Sequence, residues 1–417
     1  LIPPRTGAET ADTKSAAPED IPALTSLRFF AAMGVVMYHF AGTLEVATRE
    51  VPVLHALIAW SHRFGYLGVS WFFVLSGFIL THVYLGPSRP GPVNRRRFWA
   101  ARFARIYPAY FLAFLLAAWM FVLGESSRFE SGEEAALHVA LAGVPALLLV
   151  HAWFAAWIPM WNFPSWSVAV EAFFYATFPW LAPALRRLPV KRRVWVAVAA
   201  WLLGLVLPVL YTLTLPDGVP LDALSDPAIQ GFRTRWLLVV KWCPLLHLQE
   251  FVIGIAAGLF FVERDRSRDA RLGPRLALGG LVLSLLGTVL TDGRIPYPLL
   301  HDGLLAPAFA MIIYGVGCGG RLGRWFSHPS LVLLGEASYA VYILQVPVDD
   351  LVTIPLAVLR PDLSPAISGA VGIFAIVAAA IVVYRSYERP LRRRIVSWLT
   401  GPPPPSPSPS PSLGGAR

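Results

Sequence analysis

Cysteine is nearly absent: two residues in 417, Cys243 and Cys318, each set among apolar neighbours. The two are not read as a disulfide or a metal site, and the pair reads as packing. Charge is scarce as well. Asp, Glu, Lys and Arg supply 14% of the residues, where an ordinary soluble domain carries about a quarter. The hydrophobic share is 56% and the mean hydropathy +0.58, which excludes a soluble domain and leaves a polytopic membrane protein. Acidic residues are the scarcer sign, 25 against 35 Lys and Arg, and the pI is near 9.9. In a soluble chain that excess would point to nucleic acid. Here it falls in short loops between apolar runs, as in "RRRFWAARFAR" and "RRLPVKRR", so no nucleic-acid partner is expected. Also missing are a G-x-S-x-G elbow, a Walker loop, an H-E-x-x-H pair, a dinucleotide glycine pattern and any visible inverted repeat.

What is there is a series of apolar runs near the roughly 20 residues that a helix needs to cross a bilayer. They fall at 24–43, 65–85, 106–123, 135–155, 166–185, 194–215, 244–262, 276–291, 303–318, 331–352 and 367–388. Basic loops at 95–105, 186–193, 264–275, 321–324 and 392–394 belong inside; neutral or acidic loops at 44–63, 125–134, 216–230, 291–302 and 353–366 belong outside. One step breaks the alternation, because two runs separate 125–134 from 186–193. Making 135–155 re-entrant or surface-lying restores it, and its Pro145 and the Trp-rich "HAWFAAWIPMWNFPSW" that follows suit an interface. The expectation is an all-α bundle of about ten spans in the cytoplasmic (inner) membrane, both termini inside. Residues 1–21 read as a disordered leader without a secretory signal, 22–395 as one membrane domain and 396–417 as a disordered Pro/Ser-rich tail. The chain begins with Leu1, which is not taken as the biological start.

Ionisable residues inside spans are costly and therefore functional candidates. Arg28 and His39 are eleven residues apart, so one helix puts both on the same face, about 16 Å apart along its axis. Arg28 fits either headgroup snorkelling or a ligand; His39 fits either a helix–helix hydrogen bond or proton transfer. In "WSVAVEAFFY", Ser167, Glu171 and Tyr175 form an i, i+4, i+8 stripe behind Ser165, a plausible N-cap. Glu171 is expected at the depth of His39, where it can orient the imidazole; the alternative is a protonated Glu171 bonded between helices. Ser338, Tyr342 and Gln345 share a face with Tyr339 beside them, ready to bind a polar substrate or to hold two helices together. Arg95, Arg96, Arg97, Arg102 and Arg105 crowd the inner mouth of the third span, a receptor for polyphosphate or for lipid headgroups.

Taken together, these segments resemble the acyltransferase 3 family of integral membrane O-acyltransferases. That family carries a basic residue and a His separated by ten residues in its first span, as Arg28 and His39 are. Its second-span motif is similar to "GVSWFFVLSGF", its R-x-x-R to Arg102-Phe103-Ala104-Arg105, its W-S-L-S-V-E-x-x-F-Y to "WSVAVEAFFY", and its late S-Y-x-x-Y-L-x-H to "SYAVYILQ". Gln345 stands where the family commonly has His, and Ala169 replaces a serine. The resemblance runs from about 22 to 395, without the hydrolase-like domain that some members append, so a stand-alone member is expected.

The resemblance implies transfer of an acyl group, acetyl above all, from acyl-CoA to a hydroxyl of a carbohydrate, glycolipid or secreted small molecule such as a macrolide. Arg28, Arg102 and Arg105 would hold the CoA phosphates, with no metal. His39 and Glu171 would be catalytic. Ser167, Tyr175, Ser338, Tyr339, Tyr342 and Gln345 would meet substrate. A secondary transporter using the buried Arg, His and Glu as substrate and proton path is the rival.

Overall fold

The chain folds into seventeen α-helices in the described residues of the computed structural model, which are 21–87, 91–225, 234–264, 266–290 and 294–401. The first four are α1 (Pro22–Phe40), α2 (Gly42–Ala47), α3 (Pro52–Phe64) and α4 (Leu67–Leu85). Then follow α5 (Arg95–Ser126), α6 (Gly132–Leu147), α7 (Trp166–Arg187), α8 (Val190–Thr214) and α9 (Arg235–Trp242). The last eight are α10 (Leu248–Val262), α11 (Arg266–Leu285), α12 (Tyr297–His301), α13 (Ala306–Gly317), α14 (Gly320–Phe326), α15 (Pro329–Leu359), α16 (Pro365–Val383) and α17 (Arg389–Thr400). No strand occurs among the described residues.

Among the described residues, nine helical stretches are long and apolar enough to cross a membrane; α10, with 15 residues and mostly buried, is a shorter tenth. The run 135–155 is not one of them. Its helix ends at Leu147, Leu149 takes φ 57°, and a 3-10 turn, His151–Phe154, follows. Pro145 and the left-handed Leu149 break the segment before it reaches spanning length. The expected leader lies outside the described residues apart from Ile21, as do parts of loops 216–230, 264–275 and 291–302. The tail begins later than expected: α17, an amphipathic helix with Arg392, Arg393 and Arg394, continues to Thr400, and 402–417 lie outside the described residues.

Close helix contacts set the centre of the bundle. α1 packs on α4 and α15, and α4 on α10. A methyl group on Gly335 of α15 would collide with the Thr25 carbonyl of α1, and one on Gly77 of α4 with the Phe251 carbonyl of α10. In lipid, helices associate through such small-residue approaches rather than through hydrophobic exclusion. The bundle has two distinct ends. Arg28 near the start of α1 lies with Arg105 of α5, and His39 lies at the far end of α1 near Pro365 and Ser368 of α16. Since α16 descends from the histidine end and Glu388 meets Arg105, both ends of the described chain lie at the arginine end.

Candidate active site

At the arginine end a cavity of about 90 Å³ is lined by Arg28, Arg102, Arg105, Glu171, Tyr175 and Ser76, among others. The i, i+3 spacing on α5 brings Arg102 and Arg105 to it together, as expected. Arg105 donates to the Glu388 carboxylate in a buried ion pair. Glu388 ends a π-helical turn, Tyr384–Glu388, whose extra residue per turn shifts the helix phase. Arg102 lies over the rings of Tyr84 and Tyr175, at 5.6 and 5.8 Å, and its buried Nε has no hydrogen-bond partner. No hydrogen bond or ion pair joins Arg28 to another described residue. Three guanidinium groups thus face two carboxylates, Glu171 and Glu388. Arg105 is buried and Arg28 and Arg102 are half-buried, and this surplus of positive charge is a setting in which a bound anion is stabilised.

Glu171 is not the partner of His39. Its carboxylate accepts from Tyr175 Oη and from Ser76 Oγ at 3.4 Å, in the arginine cavity. The depth expectation fails because α7 begins inside the bundle. Its approach, Asn162 to Ser165, is itself buried: Asn162 donates to the Ile343 carbonyl at 3.1 Å, and Phe163 packs edge-on to His39 at 5.6 Å. Trp166 starts the helix close to His39 depth, so Glu171 lies about 7 Å further toward the arginines. Ser165 does not cap α7 either; its hydroxyl meets His151 Nε2 at 3.0 Å.

The partner of His39 is Gln345. Gln345 is fully buried, and its Nε2 donates to the Tyr342 carbonyl at 2.7 Å. The amide therefore turns its oxygen to His39, 2.9 Å from Nδ1. An oxygen can only accept, so Nδ1 carries the proton and Nε2 keeps its lone pair. The residue expected to touch substrate is a support behind the imidazole. Ser338 also leaves the substrate set, its hydroxyl bonded to the Gly335 carbonyl one turn back in α15. Ser167, Tyr339 and Tyr342 do line the arginine cavity. Ser167 donates to Tyr342 Oη at 2.6 Å, Tyr342 to the Pro164 carbonyl at 3.0 Å, and Tyr339 to the Ile106 carbonyl at 2.8 Å.

Two larger chambers flank this layer. One of about 990 Å³ at the arginine end is lined by Asn94, Arg97, Arg102, Arg389, Arg392 and Arg393. Arg102 lines both it and the cavity. The other, of about 610 Å³, holds His39, Thr43, His62, Asp349, Thr353 and Arg360 at the histidine end. Sequence reasoning used the C-terminal arginines only as topology signals and passed over His62 and Asp349, which no intramembrane pattern marks.

It also missed a buried cluster beside Trp166. His247 Nδ1 meets Glu250 at 2.8 Å and Nε2 the Lys241 carbonyl at 2.9 Å; Asp302 lies 3.7 Å from His247 and 3.9 Å from His301. His247, His301 and Asp302 bring one ligand atom each within 4.8 Å of the others, although both His247 nitrogens already have oxygen partners. The i, i+3 pair in "HLQE" was the visible signal.

One helical bundle thus brings together a surplus of guanidinium charge at one end and an imidazole with a lone pair at the other. The chain belongs to the acyltransferase 3 family, whose acyltransferase domain matches residues 21–385. It is 31% identical to the acyltransferase MdmB of Streptomyces mycarofaciens over 78% of this chain and 77% of that one. It is 23% identical to the peptidoglycan O-acetyltransferase OatA of Listeria monocytogenes, over 89% of this chain and 56% of OatA. A putative O-acetyltransferase of Staphylococcus aureus strain COL is also 23% identical, over 92% and 59%. The chain thus spans a little over half the length of these last two. No solved structure matches it. The protein is a multi-pass membrane O-acyltransferase, which takes an acyl donor and a hydroxyl acceptor.

Proposed function

We propose that the donor is acyl-CoA, most simply acetyl-CoA, and that the acceptor is a hydroxyl of an envelope carbohydrate, a glycolipid or a secreted small molecule such as a macrolide. The observation that carries this reading is the continuity at Arg102, which lines both the large basic chamber and the small arginine cavity. The nucleotide phosphates fit the chamber, where Arg97, Arg389, Arg392 and Arg393 offer bidentate donors. The thioester end then enters toward Arg28, Arg102 and Arg105, which stabilise charge developing on oxygen or sulfur. The cavity, of about 90 Å³, is far smaller than the chamber of about 990 Å³ beside it, which suits the short acyl end of the donor in the one and its nucleotide in the other. His39 Nε2 supplies the lone pair that takes the acceptor's proton or the acyl group itself. Glu171 acts from the donor side, holding Tyr175 and Ser76 in the cavity wall. Every step falls to side chains and needs no metal. With the basic end facing the cytoplasm of the inner membrane, the acceptor is modified on the envelope side.

The test is purified protein with labelled acetyl-CoA, read as CoA release. His39→Ala should abolish release while leaving expression intact, and near-normal turnover would sink the role of His39. The double change Arg102→Ala with Arg105→Ala should raise the KM for acetyl-CoA at least about tenfold, the effect of one lost charge-assisted contact. An unchanged KM removes both from the donor site. Substrate movement across vesicles without CoA release would favour the transporter instead.

A further inference from the structure

The chamber that holds His39 contains a second imidazole with different support. His62, in the last turn of α3, has Nδ1 2.6 Å from Glu45 Oε2 of α2, with the two side chains 25% and 33% exposed. The other edge of its ring, Cε1 and Nε2, lies against Gly42, three residues past His39. Glu45 is held at its backbone too, its carbonyl meeting His55 Nδ1 at 3.0 Å. The pair is therefore a built imidazole–carboxylate dyad with its free nitrogen on the wall of the chamber. Asp349 and Arg360 are the other charged groups that line it.

The two rings suit different work. His39 is oriented by a neutral amide, which fixes the lone pair on Nε2 and equips that nitrogen as a nucleophile. His62 is oriented by a carboxylate, which stabilises the imidazolium formed when the ring takes a proton. The layout separates the reactants as well: no residue lines both the arginine cavity and the histidine chamber, and the Ser167–Tyr342–Gln345 layer stands between them. His39 abuts that layer through Gln345 and also lines the chamber, and a ring nitrogen holding an acyl group can no longer serve as base.

From this we infer that His39 carries the acyl group and that the His62–Glu45 dyad is the general base for the acceptor. This rests on the proposed acyl-CoA reaction. In the first step His39 Nε2 bonds to the thioester carbon and the C–S bond breaks, its electron pair leaving on the CoA sulfur, which takes a proton from water at the donor side. The proton stays on His39 Nδ1, hydrogen-bonded to Gln345, so the acylated ring carries one positive charge until the second step. In the second step the acceptor O–H proton passes to His62 Nε2, the oxygen bonds to the acyl carbon, and the C–N bond breaks to return His39 neutral. His62 then gives the proton to water in the chamber. Asp349 is the competing base in the chamber; it accepts from Thr353 Oγ at 3.3 Å and lacks the second group that His62 has in Glu45 to stabilise it once protonated.

The experiment uses the full chain in detergent with radiolabelled acetyl-CoA and only water as acceptor, then with hydroxylamine, a nucleophile that needs no base. His62→Gln should release one CoA per chain and stall with the label on the protein, its steady turnover at least a hundredfold below the parent. Hydroxylamine should bring that turnover back to within a few-fold of the parent. Glu45→Gln should lose about tenfold, Asp349→Asn should keep the parental pattern, and His39→Gln should give neither burst nor rescue. Parental turnover in His62→Gln, a stall in Asp349→Asn in its place, or loss of the burst together with turnover would each overturn the inference. Absence of CoA release from the parent chain would sink the acyl-CoA reading instead.

Discussion

The amide of Gln345 has one orientation that satisfies both of its neighbours, because the Tyr342 carbonyl can only accept. That local fact carries through to the tautomer of His39, and it gives the first prediction. Gln345→Leu should lower kcat about ten- to a hundredfold, the usual cost of losing a histidine's orienting partner, with the KM for donor unchanged. Gln345→Glu, which keeps an acceptor at Nδ1, should retain more of kcat than Gln345→Leu; equal losses in the two would mean that packing, not the hydrogen bond, is what Gln345 supplies. At this scale the sequence was legible where geometry is local. The shared face of Arg28 and His39 follows from helix rise alone, and so does the pairing of Arg102 with Arg105. The partners of Glu171 and His39 were not legible, since each lies on another helix whose depth depends on where that helix begins.

Helix boundaries decide that depth, and they are set by segments that carry little hydropathy signal. α7 starts inside the bundle because its approach buries Asn162 and Phe163 against α15 and His39, something a window of apolar residues cannot show. The broken run 135–155 was legible, since Pro145 and the charge alternation both spoke against a span. The end of α17 was not, because its alternating arginines and apolar residues run straight into the Pro/Ser tail. Helix contacts offer a direct test: Gly335→Leu should push α1 and α15 apart and abolish the monodisperse peak in detergent, whereas Gly124→Leu, with open space around it, should not. Outside the spans, Asp217 ties the start of α9 to the end of α8. It accepts from Leu237 N at 2.8 Å, Trp236 N at 3.3 Å, Thr234 Oγ at 2.7 Å and Tyr211 Oη at 3.2 Å. Burial alone would push this carboxyl up, but the four hydrogen bonds hold it below its usual value. Its stabilising contribution is therefore complete above about pH 4, the ordinary carboxylate value, and fades as pH falls through the lowered one. Asp217→Ala should lower Tm at pH 7 by the equivalent of about 1 kcal/mol, typical of a lost cap, and the gap from the parent should close in acid. A gap that persists unchanged in acid would assign the loss to packing.

Across the whole molecule the charges are segregated by end, and this is what makes the chemistry directional. An all-α bundle of about ten apolar helices and a basic end could be read from hydropathy and loop charge, because both are sums over local windows. The chambers could not, because α1, α4, α5, α7 and α15 contribute to one cavity from positions scattered along the chain. Segregation of this kind predicts a vectorial enzyme: donor enters beside α17 and acceptor leaves beside α3 and the start of α16. Acetyl-CoA, a multiply charged polyphosphate, does not cross a bilayer unaided, so the side on which it is supplied can be controlled. Proteoliposomes can be sorted into the two orientations with a tag placed after Thr400. Turnover with hydroxylamine present on both sides should require donor on the tag side, and free CoA should appear on that side alone. A positively charged thiol reagent should reach a cysteine placed at Arg360 only from the opposite side. Equal turnover with donor on either side would show that the donor site is open at both ends, and turnover confined to the side opposite the tag would reverse the assignment of the basic chamber.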